Sequence, residues 1–167
     1  MSYELRFTDW PGNVRVSDAR AIPLASNTPG AAFCFGNGSL ATACPCGNTG
    51  GPANGCANSA NAQGARLVAS GLPFVANDSL RLAGSGMTPT SSVLYFQGTT
   101  QGAGTAFGDG LRCAAGAIIR LGTTTNAGGA SSWPAQGAQP ISVRGGIPAA
   151  AGVSRTYQAW YRDASAT

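Results

Sequence analysis

Short runs of alternating apolar and polar residues, separated by clusters of Gly, Asn, Ser, Thr and Pro, recur from residue 65 onward. Such alternation places apolar side chains on one face of a β-strand, and the intervening clusters are typical of turns. The runs are about ten residues apart, a spacing typical of an all-β sandwich or barrel. No segment keeps a helical period. We therefore predict an antiparallel β-sandwich, of jelly-roll or Ig-like type, whose strands are Ala65–Ala69, Ser79–Ala83, Ser92–Gln97, Cys113–Leu121, Pro140–Arg144 and Val153–Arg162.

The pattern divides the chain into three regions. Residues 65–167 form the predicted sandwich core, and residues 31–64 form a cysteine-rich loop that belongs to the same domain, 31–167. Residues 1–30 form an N-terminal extension, which contributes edge strands or is a linker. Within it, Tyr3–Thr8 alternates as a strand does, and Val14–Val16 returns antiparallel to it after a turn.

Four cysteines fall within the loop, at positions 34, 44, 46 and 56, and a fifth is Cys113. The residues between them are too small and polar to build a core, so cross-links or a metal must hold the loop. Cys44 and Cys46 are separated only by Pro45 and should have different partners. We therefore predict two disulfides among Cys34, Cys44, Cys46 and Cys56, in either of two connectivities, with Cys113 left over.

The alternative for this loop is a structural zinc ion bound by the same four thiolates. One C-x-C and two isolated cysteines do not match the paired C-x₂₋₄-C spacing of such sites, so no metal is favoured. Calcium is less favoured still, because Asp109 lies between two glycines, a pattern that is more typical of a tight turn than of a calcium ligand.

Charged residues make up 10% of the chain, against about 25% in an average soluble domain. There is no His and no Lys, and Glu4 is the single glutamate. These counts exclude a Ser-His or Cys-His catalytic pair, a Schiff base and a P-loop lysine. The net charge of +4 comes from ten dispersed arginines, a pattern that does not favour nucleic-acid binding. No apolar run reaches the length of a membrane span.

Few residues remain that suggest chemistry. The weak catalytic candidates are Asp78, Asp109 and Cys113, the last beside Arg112, which would lower the pKa of a free thiol. Trp133, in a predicted loop, and Trp160, on the last strand, are candidates for stacking against a glycan.

The stretch from Phe33 to Asp163 resembles an uncharacterised cysteine-containing β-domain of large secreted or surface proteins of planctomycetes and myxobacteria. The motifs that carry the resemblance are Phe33-Cys-Phe-Gly-Asn-Gly, Cys44-Pro-Cys-Gly-Asn-Thr-Gly, Asn54-Gly-Cys-Ala-Asn, Leu94-Tyr-Phe-Gln-Gly-Thr, Phe107-Gly-Asp-Gly-Leu-Arg-Cys and Arg155-Thr-Tyr-Gln-Ala-Trp-Tyr-Arg. The resemblance implies an extracellular location and a modular parent protein, but no activity. It also implies a further cysteine after Arg162, which this sequence does not reach and which would be the partner of Cys113.

Together these observations predict a non-catalytic extracellular structural, adhesion or display module of a larger surface protein. The alternatives are a small ester or phosphoester hydrolase that uses a Cys-ligated metal or Asp and Cys residues, and a glycan-binding module. The expected partners are neighbouring domains or subunits, joined by pairing of edge strands.

Overall fold

The computed structural model describes residues 2–7, 29–149 and 152–163. Nearly all of its regular structure is strand, which confirms the all-β prediction. Val75–Asn77 forms a 3-10 turn and Ile141–Arg144 a single helical turn, α1. The strands are β1 (Ser2–Phe7), β2 (Gly30–Phe33), β3 (Arg66–Ser70), β4 (Arg81–Ser85), β5 (Ser92–Gly98), β6 (Thr100–Phe107), β7 (Gly110–Ala115), β8 (Ile119–Thr125), β9 (Ser131–Trp133) and β10 (Val153–Tyr161).

The strands form a five-stranded sheet, a three-stranded sheet and a separate hairpin. The order in the first sheet is β2-β1-β10-β5-β8, and every neighbouring pair in it is antiparallel. The second sheet has the order β3-β4-β9, and the hairpin consists of β6 and β7. β1 lies between β2 and β10, so it is an inner strand and not an edge strand. The predicted return strand Val14–Val16 lies outside the described residues.

One hydrophobic cluster takes side chains from both sheets. Leu67 and Leu82 come from the three-stranded sheet, while Tyr95 and Tyr157 come from the five-stranded sheet, and all four are essentially buried. Strand alternation explains which side chains of the three-stranded sheet enter the cluster, because β3 and β4 bury every second residue. The sandwich itself and its jelly-roll or Ig-like type stay predictions.

The β6–β7 hairpin is attached to β10 through buried polar side chains. Gln158 Oε1 accepts hydrogen bonds from the backbone N–H groups of Cys113 and Ala114, at 3.0 and 3.2 Å, and its Nε2 donates to Leu111 O at 2.6 Å. Thr156 Oγ1 donates to Thr100 O at 3.0 Å. Burial of these groups is tolerated because they are hydrogen-bonded. The hairpin is therefore held by specific bonds as well as by packing.

Two of the predicted strands are wrong. Cys113–Leu121 is not one strand, because the chain turns at Gly116, whose φ is +72°, and divides into β7 and β8. Pro140–Arg144 is not a strand, because its apolar residues Ile141 and Val143 belong to helix α1, between Pro140 and Gly145. A run of four or five residues is too short to distinguish the hydrophobic period of a strand from that of a helix.

The predictions also missed three strands. β2 and β6 are rich in Gly, Ala and Thr and show no apolar alternation, while β9 has only three residues. The predicted strands that include residues 3–7, 66–69, 81–83, 92–97 and 153–161 are strands in the structure. No helix in the described part of the chain is long and apolar enough to cross a membrane.

Candidate binding cleft

The cysteines pair differently from the prediction. Cys34 bonds to Cys113, with their Cα atoms 6.1 Å apart, and Cys44 bonds to Cys56, with their Cα atoms 5.8 Å apart. Cys46 is exposed and is the free cysteine. The prediction that Cys46 is bridged and Cys113 is unpaired is therefore wrong, although Cys44–Cys56 belongs to one of the two predicted connectivities.

The error has a physical reason. The prediction assumed that cysteines close in sequence are close in space, but Cys34 directly follows β2 and Cys113 lies within β7. The bridge thus joins the start of the loop to the hairpin, across 79 positions of sequence. In this structure three of the four thiolates proposed for the alternative zinc site, those of Cys34, Cys44 and Cys56, are disulfide sulfurs. The described residues contain no group of three His, Cys, Asp or Glu side chains placed to hold a metal.

A cleft lies where the cysteine loop, the tip of the β6–β7 hairpin and the end of β10 meet. We call it the hairpin cleft; its walls include both disulfides through Cys34 and Cys56, and part of its floor is Leu67 and Met87. Its volume is about 80 Å³, room for roughly six water molecules at 10–15 Å³ each. It is therefore large enough for part of one small ring, while the rest of a ligand would remain outside.

Two aromatic side chains lie at the mouth of this cleft. Phe107 is 42% exposed and Trp160 is 36% exposed, and their rings are tilted against each other with centroids 5.7 Å apart. The Arg112 guanidinium lies 5.8 Å from the centre of the Phe107 ring, within the range of a cation–π contact. Adjacent exposed apolar side chains rimmed by polar residues are typical of ligand-binding grooves, so this pair marks the cleft as a candidate site.

Tyr161 supplies a hydroxyl group to the cleft. Asn58 Nδ2 donates to the Tyr161 hydroxyl oxygen at 2.7 Å and to Gly86 O at 2.9 Å, which ties the loop to β10 and to the residue that follows β4. Burial raises the pKa of Tyr161 to about 12; the Asn58 hydrogen bond lowers this pKa, and the Asp163 and Asp109 carboxylates raise it. The phenol is neutral at pH 7, and its own O–H finds no acceptor among the described residues.

Two carboxylates lie in the same cleft. Asp109 is exposed in the two-residue turn after β6, where Gly108 takes the left-handed conformation at φ +62°. Asn48 Nδ2 donates to Asp109 O at 3.0 Å, which holds the turn against the cysteine loop. The Asp109 carboxylate accepts no hydrogen bond from the described residues. Asp163, by contrast, accepts from the Ser59 N–H at 2.8 Å and from the Ser59 hydroxyl.

The remaining predicted site residues lie elsewhere or are unavailable. Cys113 is oxidised, so it is not a nucleophile. Both Asp78 carboxylate oxygens accept backbone bonds, from Leu80 N at 2.8 Å and from Ser142 N at 2.6 Å, so Asp78 has a structural role. Trp133 is 8% exposed and belongs to the core, so it offers no face to a glycan. Of the predicted residues, the structure brings together Asp109 and Trp160.

Sequence reasoning missed Phe107 and Asn48 as residues of the site. The repeated Phe-Gly-Asn/Asp-Gly pattern was a usable signal for the hairpin tip, because it places an aromatic residue directly before a two-residue turn. No local signal exists for Asn48, whose role depends on the fold bringing the loop onto the hairpin.

The electrostatics of the cleft give a testable expectation. On alkaline titration followed at 295 nm, Tyr161 ionises near pH 12, and Tyr95 and Tyr157 also ionise above the ordinary value because burial raises their pKa values. A pKa raised from 10 makes the folded state lose stability as pH rises from about 10, where the unfolded chain ionises, to about 12. Asp109→Asn should lower the pKa of Tyr161, because the carboxylate raises it. An unchanged titration in this variant would contradict the placement of Asp109.

The fold and the cleft together define a disulfide-bridged all-β domain with a small, aromatic-rimmed cleft. Comparison of the chain with protein-family models, with curated proteins and with solved structures gives no match.

Proposed function

We propose that this chain is a non-catalytic adhesion module of a larger secreted or surface protein. The observation that carries the proposal is the exposed Phe107–Trp160 pair on a frame fixed by two disulfides. Disulfides form and persist in oxidising settings, which supports an extracellular location. The resemblance of the stretch from Phe33 to Asp163 to domains of secreted and surface proteins supports the same location.

The geometry also favours binding over catalysis. The cleft contains no free thiol among the described residues, and the chain has no His and no Lys. What remains at the cleft is suited to recognition: two aromatic faces, a phenol and two carboxylates, held on strands and a tight turn. A site on rigid elements binds with a small loss of conformational entropy.

The test uses the oxidised protein coupled to latex beads. We expect beads to be retained on bacterial envelope preparations and on extracellular matrix under flow, while beads that carry reduced and alkylated protein are washed off. The intact mass should be four hydrogens below that of the reduced chain, because the protein contains two disulfides. Alkylation before reduction should modify a single thiol, that of Cys46. Absence of retention on every surface, or two or more free thiols in the native protein, would contradict the proposal.

A carboxylate-dependent hydrolase is the second candidate, because Asp109 and Asp163 line one cleft. Paired carboxylates are used as general acid and base when their environments differ, and here only Asp163 is hydrogen-bonded by a neighbouring side chain. Turnover of aryl esters, phosphoesters or glycosides that is lost in both Asp109→Asn and Asp163→Asn would establish this candidate and overturn the first.

A further inference from the structure

The groups that line the hairpin cleft require a ligand with both an apolar face and hydroxyl groups. Trp160 is 36% exposed at the cleft, and the negative π-cloud of an aromatic ring attracts weakly positive C–H groups. The Asp109 carboxylate is an unused acceptor, and the Tyr161 hydroxyl is an unused donor, as far as the described residues show. A ligand hydroxyl is both donor and acceptor, so one kind of group satisfies both residues.

The charges around the cleft do not favour a charged ligand. Arg66 lines the cleft and Arg112 lies over Phe107, while Asp109 and Asp163 line the same cleft, so two positive and two negative charges offset each other. A cationic ligand would also find one aromatic face already occupied by Arg112. A fully apolar ligand would desolvate these carboxylates without replacing their hydrogen bonds to water, which costs free energy. A neutral polyol with an apolar face remains.

From these observations we infer that the hairpin cleft binds the terminal hexopyranose of a neutral glycan, stacked on Trp160 and hydrogen-bonded through its hydroxyls to Asp109 and Tyr161. This inference rests on the proposed adhesion function. The volume of about 80 Å³ accommodates part of one sugar ring. The site would therefore bind the terminal sugar of a glycan chain, and the rest of the chain would remain in solvent.

The position of Asp109 supports the assignment. The Asn48 bond fixes the turn that carries the carboxylate, and Gln158 fixes the hairpin that carries the turn to β10, the strand on which Trp160 and Tyr161 lie. The stacking face and the hydrogen-bonding groups are therefore held in one rigid frame before the ligand arrives. Preorganisation of this kind reduces the entropy lost on binding.

The test is saturation-transfer NMR and calorimetry with methyl glycosides of neutral hexopyranoses, chosen from the strongest signals on a glycan array. We expect saturable binding with a dissociation constant in the millimolar range for a single sugar unit. Trp160→Ala should weaken it at least tenfold, and Asp109→Ala severalfold, while Trp160→Phe retains part of the affinity. Val143→Ala truncates an exposed apolar side chain on helix α1, outside the cleft lining, and should leave affinity unchanged. Near-UV circular dichroism confirms that each variant is folded.

The outcomes separate this inference from the proposed function. If no neutral sugar binds, or if Trp160→Ala and Asp109→Ala bind as the unaltered protein does, the sugar assignment is wrong. If beads still adhere to surfaces whose sugar diols have been oxidised with periodate, the adhesion function stands and the sugar assignment falls. If a bound glycoside is hydrolysed, the cleft does bind sugar but the protein is an enzyme, and the adhesion proposal falls.

Discussion

Replacing Cys34 and Cys113 together with Ala is expected to lower the free energy of unfolding by about 4–5 kcal/mol, because removal of a cross-link that closes a long loop returns conformational entropy to the unfolded chain. The bridge spans 79 positions, and that of Cys44 and Cys56 spans 12. The same relation gives about 3 kcal/mol for the shorter loop. The long-range bridge should therefore matter more, although only one of its two cysteines, Cys34, belongs to the dense cysteine cluster.

Urea denaturation of the two double-alanine variants measures this difference. Cys46→Ser is the matched control, because Cys46 is exposed and unbonded, and its midpoint should equal that of the unaltered protein. A larger loss for the Cys44 and Cys56 pair than for the Cys34 and Cys113 pair would contradict the prediction. So would a marked loss for Cys46→Ser, since it would mean that Cys46 is bridged in the folded protein.

The second large effect is expected where Trp133 packs on Gly122. A Cβ atom at Gly122 would overlap the six-membered part of the Trp133 ring, so glycine is what lets the indole lie flat on β8. Trp133→Ala removes a large core side chain and should cost about 3–5 kcal/mol. Gly122→Ala overpacks the same contact and should cost about 1–3 kcal/mol.

Coupling between the two positions provides a sharper measurement. In the double variant the new methyl group has space where the indole was, so its cost should be well below the sum of the single costs. Gly110→Ala is the control glycine, because a Cβ there meets only one atom, Phe107 O at 3.9 Å, and Gly110 does not have a positive φ. Its effect should be small. Additive losses in the Gly122 and Trp133 cycle would show that the two residues are not in contact.

Much of the fold could be predicted because local pattern and burial agree. Leu80 and Leu82 are buried while Arg81 is exposed, as the alternation requires. In β10 the buried Tyr157 belongs to the core cluster, as its position in the alternation indicates. Prediction failed where a strand lacks a hydrophobic face: β6 consists of Thr, Gln, Gly, Ala and Phe, and pairing with β7 decides its conformation.

The candidate site was harder to predict, because its residues come from distant segments. Asp109 and Trp160 were identified from local context, but their proximity depends on Gln158 holding the hairpin on β10. Trp133 was misassigned for a related reason: a Ser-Ser-Trp-Pro segment reads as a loop, yet pairing with β4 makes it a strand, with Leu82 opposite Trp133. Tertiary hydrogen bonds, which no short window contains, decided both cases.

The placement of β1 between β2 and β10 has a consequence for how the molecule is assembled. Tyr3 pairs with Tyr157, so the five-stranded sheet is complete only after β10 has been synthesised, and topologies of such high contact order fold slowly. Meanwhile Cys34, Cys44, Cys46 and Cys56 are exposed to oxidation before Cys113 has been synthesised. Early thiol chemistry should then favour bridges among these four neighbours, of which only Cys44–Cys56 is native, and thiol–disulfide exchange must correct the others before Cys34 meets its native partner. We therefore expect maturation to depend on a disulfide isomerase, with Cys46 as the thiol that competes for the native partners.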